Sequence, residues 1–246
     1  MTIDQAFNAS TPTYDDWMSR ALLGYSDLFG TAVQIIPFEK DYPLRVLDLG
    51  AGTGSFANHI HQVFPNAEFV LMDVADQMLE AARERFRGSK NRFKIQVADY
   101  RNLEGVEEYD LVVSSLSIHH LTDPEKRSLF KAIYTILREK GAFINVDQIR
   151  GETPTLRSLY WNRWLKHVHS SGATEDQIKA SIERRTTYDK DALLTDQIDW
   201  LKLAGFSSVD LVYKNFFLGV FLGLKGNLAN PDVPMGFTYN RLMESK

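Results

Sequence analysis

Three alternating glycines lie between an aspartate and a helical stretch in "VLDLGAGTGSF", Val46 to Phe56. Glycine-rich turns at strand ends present backbone N–H groups to a ligand, and that ligand is often a phosphate. Here Gly50, Gly52 and Gly54 are spaced G-x-G-x-G, and no Lys-Ser or Lys-Thr follows, so the phosphate-loop pattern is missed. The dinucleotide pattern G-x-G-x-x-G is missed by one residue. Asp48, two residues before the first glycine, adds an electrostatic objection. A carboxylate there repels a pyrophosphate and suits an ammonium. Asp73 ends the next apolar run about 20 residues further on, where an acid accepts hydrogen bonds from ribose hydroxyls. Asp99 ends a third run and is placed to accept from an adenine amine. Ammonium, ribose and adenine without phosphate describe S-adenosylmethionine.

Other residues have chemistry to offer. His119 and His120 follow a fourth apolar run, and an imidazole titrating near neutral pH can serve as a general base. They can equally be structural, because methyl transfer from a sulfonium often needs only proximity and alignment. No metal site is expected: there is no H-E-x-x-H, and His167 and His169, two apart on a helix, diverge. Tyr160 and Trp164 share a helical face at i, i+4 with Trp161 beside them. These rings and Trp200 either line a substrate pocket or pack their helices on the domain.

These residues must be positioned by an alternation of strands and helices. "LRVLDL", "EFVLMD", "RFKIQVADY", "YDLVVSSLSI" and "AFINVD" read as strands. Helices are expected from about Ser55 to Phe64, over "ADQMLEAARERF", and from Asp123, as N-cap, to Gly141. Short connections of this kind imply a parallel sheet with helices on both faces, whose ligands bind at the carboxyl ends of the strands. Gly50, Asp73, Asp99, Ser115 and Asp147 fall at those ends. A helical, aromatic-rich segment over 10–37 precedes the core of 43–150 and 191–225. A helical insertion over 151–190 is expected to cap the substrate. "SSVDLVYKNFFLGVFLGLKG" reads as an antiparallel pair turning near Lys214 and Asn215. A tail over 226–246 has no clear period.

The 246 residues suffice for a single large domain, and 44% hydrophobic with 24% charged residues is ordinary for a globular chain. A net charge of −4 disfavours nucleic acid as partner. The absence of cysteine excludes disulfides, thiolate metal sites and cysteine nucleophiles. With no signal sequence and no long apolar run, a cytoplasmic protein without membrane contact is expected.

"VLDLGAGTG", "LMDVADQML", "ADYRNL" and "YDLVVSSLSIHHL" together resemble the successive motifs of class I S-adenosylmethionine-dependent methyltransferases. The resemblance runs from about residue 10 to 225. It implies an α/β, Rossmann-like sheet of seven strands in the order 3-2-1-4-5-7-6, the seventh antiparallel. "RALLGYSDLF", "ERRTTYDKDALLTDQIDWLKLAGF" and "NFFLGVFLGLKG" look like the corresponding parts of carboxy-S-adenosylmethionine synthase and its methyltransferase relatives. That likeness implies that Tyr25 contacts the cofactor and that Arg185, or Arg184 if the gap is placed differently, binds a carboxylate in the active site. The cofactor set is then Tyr25, Asp48, Gly50, Ala51, Gly52, Asp73, Val74, Asp99, Tyr100 and Ser115, with Met72 and Ile118 flanking the adenine or methionine part. Arg185, Tyr160 and Trp164 form the substrate set. The glycine-rich loop and Ser115, where the synthase has an asparagine, favour plain methyl transfer over carboxylated-cofactor synthesis. The expected protein is a methyltransferase for a small-molecule acceptor, with a homodimer compatible. The alternatives are a carboxy-S-adenosylmethionine synthase-like enzyme, a non-catalytic cofactor-binding protein and, more weakly, an RNA methyltransferase.

Overall fold

A computed structural model describes residues 2–105 and 108–226. Of the tail expected from residue 226, all but Gly226 lies outside the described residues. Strands β1 (Arg45–Leu49), β2 (Glu68–Asp73), β3 (Phe93–Val97), β4 (Tyr109–Ser115), β5 (Leu137–Gln148), β6 (Ser208–Asn215) and β7 (Leu218–Leu224) form one sheet. Their order is β3-β2-β1-β4-β5-β7-β6, and β7 runs antiparallel to both neighbours. This is the expected topology.

Alternation along the strands divides the core into two layers. On β1, Val46 faces α3 (Tyr25–Gln34), α4 (Ser55–Val63) and α5 (Asp76–Arg85), packing with Leu28, Ala57, Ile60 and Leu79. Leu47 and Leu49 face α6 (Asp123–Ile136) and α9 (Leu194–Ala204), packing with Phe130, Ile133 and Leu201. Over the carboxyl ends of the strands lie α1 (Ile3–Ser10), α2 (Tyr14–Ala21), α7 (Pro154–Ser170) and α8 (Glu175–Tyr188). Trp164 ties two of these together, its indole N–H donating to Ala21 O at 3.1 Å. Among the described residues no helix is long and apolar enough to cross a membrane.

Several boundaries differ from expectation. The helix expected to run to Gly141 ends at Ile136, because Leu137 turns into extended backbone and pairs with Tyr109 as the start of β5. "LREKG" is therefore strand, kinked where Lys140 takes a φ of 67°. The N-cap of α6 is Thr122, whose hydroxyl and N–H both reach the Glu125 carboxylate. Asp123 is the first helical residue. The final hairpin turns at Phe216 and Phe217, not at Lys214 and Asn215, which remain in β6. Burial of the Phe217 ring and the bond from Lys214 Nζ to Phe216 O hold this apolar turn. Helix begins at Ile3, ahead of the expected residue 10, and Asn8 of α1 accepts from the Gln77 N–H at 3.0 Å.

Candidate active site

The glycine turn answers the phosphate question by hydrogen bonding. Gly50 N–H and Ala51 N–H both donate to Met72 O, at 2.8 and 3.1 Å. Gly52 N–H donates to Asp73 Oδ2 at 2.8 Å. The donors that would cradle a phosphate are thus committed to the neighbouring strand, and Asp73 adds negative charge. Gly50 is required twice over: its φ is +68°, and a Cβ there would stand 1.9 Å from Ser117 Oγ.

Beyond this turn lies a cavity of about 220 Å³, walled by Gly50, Gly52, Asp73, Val74, Asp99, Tyr100, Ser115, Leu116 and His120 among others. A second cavity of about 80 Å³ is lined by Trp17, Trp164, Phe217, Arg184, Arg185, His119, His120, Gln148 and Asp189. Phe7, Tyr14, Leu116 and His120 line both. A smaller hollow on the far side of the turn contains Tyr25, Ala51, Thr53 and Ser55.

Most of the expected cofactor residues are brought together on these walls. Asp73 is tethered through both oxygens, Oδ1 accepting from Ala75 N–H at 2.8 Å, and burial raises its pKa. Asp99 faces the cavity as the cap of a short 3-10 turn, gripped by its neighbour Arg101, which holds its carboxyl below the usual range. Tyr25 meets Ser55 Oγ at 3.3 Å and His59 Nε2 at 3.2 Å. Asp48 is different. It is fully buried beneath the turn, on the wall of none of these three cavities, and among the described residues neither carboxylate oxygen has a hydrogen-bond partner. Burial, reinforced by Asp73, pushes its pKa up to about 8. Met72 and Ile118 are core residues that line none of the three cavities.

The substrate set separates. Trp164 lines the second cavity, whereas Tyr160 lies outside all three, against Phe216 with Lys214 Nζ 4.8 Å from its ring centroid. Trp161 lies against the Arg185 guanidinium, and Trp200, on α9 under Arg127, lines none of the three cavities. Arg185 lies 4.2 Å from the Phe217 ring centroid and within 3.6 and 3.8 Å of the Asp191 and Asp189 carboxylates. Arg184 also lines the second cavity, its guanidinium over the Phe7 ring, and among the described residues no carboxylate is within ion-pair distance of it.

The two histidines behave oppositely. His119 Nδ1 is 2.6 Å from Asp147 Oδ1, and its Nε2 is 3.4 Å from Asp189 Oδ1. Burial pulls its pKa down, but the two carboxylates outweigh that and hold the imidazolium up to about 10. His120 faces the cavities, and burial together with the charge on His119 pushes it down to about 4. It is the neutral imidazole at neutral pH. Asp189, which caps α8, was not among the residues expected from the sequence. It lies about 70 residues from the histidines it meets, within "ERRTTYDKDALLTDQIDWLKLAGF", where only the arginines were singled out from the sequence. Tyr14 and Leu116 line all three hollows and were also missed. Burial pushes the Tyr14 phenol up to about 12. Leu116 directly follows β4 with a φ of 51°, a strained geometry for a non-glycine residue that places it at the junction of the cavities.

Comparison with known proteins now bears on this arrangement. A family described as "Methyltransferase domain" matches residues 46–141. The chain is 25% identical over 226 residues to a carboxy-S-adenosyl-L-methionine synthase of Aeromonas salmonicida, covering 88% of this chain and 89% of that protein. Among solved structures it resembles a putative O-methyltransferase from Nostoc punctiforme, with a TM-score of 0.62 and 22% identity, over 89% of this chain and 60% of the other. It also resembles phosphoethanolamine N-methyltransferase 2 of Haemonchus contortus in complex with S-adenosyl-L-methionine (TM-score 0.65, 16% identity, 89% of this chain and 57% of that one). The matched methyltransferase domain runs from β1 through α6 into the start of β5 and includes the strands whose ends wall the larger cavity.

Proposed function

We propose that S-adenosylmethionine occupies the larger cavity and donates its methyl group to a small acidic acceptor held in the second. The observation that carries this reading is the shared wall: Phe7, Tyr14, Leu116 and His120 line both cavities, so a methyl presented there meets the acceptor in line and out of water. Asp73 would accept from the ribose hydroxyls with its remaining lone pairs. Gly50, Gly52, Val74, Tyr100 and Ser115 would shape the rest of the cofactor cavity. Asp48, ionising beside the bound cofactor, would compensate its ammonium from below the turn.

The second cavity combines aromatic rings with charged and polar side chains on its wall, which suits a flat or acyl molecule that carries an acid group. Arg184, unlike Arg185, has no carboxylate at ion-pair distance among the described residues and would orient the acceptor's acid group. His120, neutral at working pH and on the shared wall, would take the proton of an oxygen or nitrogen acceptor. A cytoplasmic enzyme, monomeric or homodimeric, completes the reading.

The carboxy-S-adenosyl-L-methionine synthase relatives, matched over most of their length, favour a second reading in which the cofactor methyl is itself carboxylated. The neutralised state of Arg185 weighs against it. Mass spectrometry of small molecules released from the denatured protein, followed by transfer of labelled methyl to a panel of small aromatic and aliphatic acids, separates the two. S-adenosylmethionine or its demethylated product with transfer to an acid supports the proposal. The carboxylated cofactor, with no transfer, refutes it.

A further inference from the structure

We propose that His119, His120 and Asp189 form a binding site for one divalent transition-metal ion, zinc-like in its preference for nitrogen and oxygen donors, with an open position facing the second cavity. Asp189 Oδ1 lies 3.4 Å from His119 Nε2 and 3.3 Å from His120 Nδ1, and one donor atom from each of the three residues falls within 4.8 Å of the others. In a tetrahedral site with metal–ligand bonds of about 2.0–2.1 Å, ligand atoms stand about 3.3–3.4 Å apart. Both measured edges match that spacing.

Independent features point to the same ligand. His120 is a nine-tenths buried imidazole that lines both cavities, and among the described residues neither ring nitrogen is hydrogen bonded, Nδ1 having only the Asp189 carboxylate at ion-pair distance. A buried orphan of this kind calls for a partner. The outer partners that metal-binding side chains require are present as well. Asp147 anchors His119 through Nδ1 at 2.6 Å, which leaves Nε2 to face the ion. Gln148 Nε2 donates to Asp189 Oδ2 at 2.9 Å, which leaves Oδ1 free for it. The charge also suits a dication that displaces the His119 proton, since Asp147, Asp189 and Asp191 converge here against the Arg185 guanidinium and the buried Lys126 ammonium. The backbone is stiffened at the same point, where Lys190 N–H donates to His119 O at 2.8 Å and Lys190 Nζ to His120 O at 2.9 Å. The proposal departs from the expectation of no metal site. No sequence motif announces it, because the ligands come from the end of β4 and the end of α8.

An ion here would sit beside the acceptor cavity and acidify an oxygen-bearing acceptor, a task otherwise left to His120 alone. The site does not depend on which molecule is methylated.

The test is equilibrium dialysis of the full-length, tag-free protein against zinc, with metal content read by mass spectrometry. The expected result is one equivalent of zinc, with affinity weakened at least tenfold in His120→Ala and in Asp189→Asn and unchanged in His169→Ala, which removes an exposed histidine. If either variant fails to fold, X-ray absorption of the zinc-loaded wild-type protein should show two imidazole nitrogens among the nearest neighbours. Stoichiometry near zero, affinity indifferent to His120 and Asp189, or a first shell without imidazole would overturn the proposal and leave the cluster as a buried ion-pair network.

Discussion

His119 and Asp147 form a buried pair, Nδ1 to Oδ1 at 2.6 Å, that joins the end of β4 to the end of β5. With its pKa raised from 6.5 to about 10, His119 contributes stability that is fully present below pH 6.5 and is lost as the pH rises through about 10. Asp147→Asn should therefore destabilise the protein by roughly 3 kcal/mol at pH 6 to 7, the order expected when one member of a buried pair is removed. The difference from wild type should shrink towards pH 10. Urea denaturation of the two metal-free proteins across that range measures it, and a gap independent of pH would refute the ionic account.

Asp48 has the opposite sign. Its folded pKa of about 8 lies above its unfolded value of 3.8, so ionisation opposes folding increasingly from pH 4 to 8 and fully above pH 8. Asp48→Asn should raise the Tm of the cofactor-free protein at pH 9 and leave it nearly unchanged at pH 4. If the carboxylate compensates the cofactor's ammonium, the same variant should bind S-adenosylmethionine more weakly in a calorimetric titration at pH 9.

Gly50 and Gly52 both have positive φ, but only Gly50 is crowded, with Ser117 atoms within 2.4 Å of a built Cβ against 3.8 Å to Met78 at Gly52. Gly50→Ala should cost roughly 3 kcal/mol, combining backbone strain and overpacking, and abolish cofactor binding. Gly52→Ala should cost about 1 to 2 kcal/mol from strain alone. Paired melting and binding experiments distinguish them.

Arg184 and Arg185 are adjacent yet placed in different environments. Arg185→Met leaves Asp189 and Asp191 without their guanidinium and should lower stability by roughly 2 kcal/mol. Arg184→Met should leave stability unchanged and raise the KM for an acidic acceptor about tenfold, the loss of one charge-assisted hydrogen bond. Equal effects on KM from both variants would argue against Arg184 as the acid-binding residue.

Much of this molecule is decided by local sequence. Strand runs and the glycine turn depend on neighbours within a few residues, so the strands and the row of strand-end residues were legible from the chain, whereas the sheet order came from the resemblance to class I methyltransferases. Even the rejection of phosphate followed from Asp48 and the missing lysine, although the hydrogen bonds that commit the turn to Met72 and Asp73 emerged only in the fold. Local patterns misled where tertiary packing overrode them. "LREKG" joins β5 because Tyr109 offers a strand partner, and the last hairpin turns on two phenylalanines because one of them has an aromatic pocket to fill.

Tertiary structure alone decided which charges meet. Two adjacent arginines on one helix have nearly the same sequence context, and only the position of Asp191 and Phe217 makes one a structural cation and leaves the other facing a cavity. Asp189 acquires its place beside His119 and His120 because α8 ends over β4, which no spacing along the chain encodes. Protonation follows the same rule: two neighbouring histidines end with pKa values of about 10 and about 4 because burial and charge act through space.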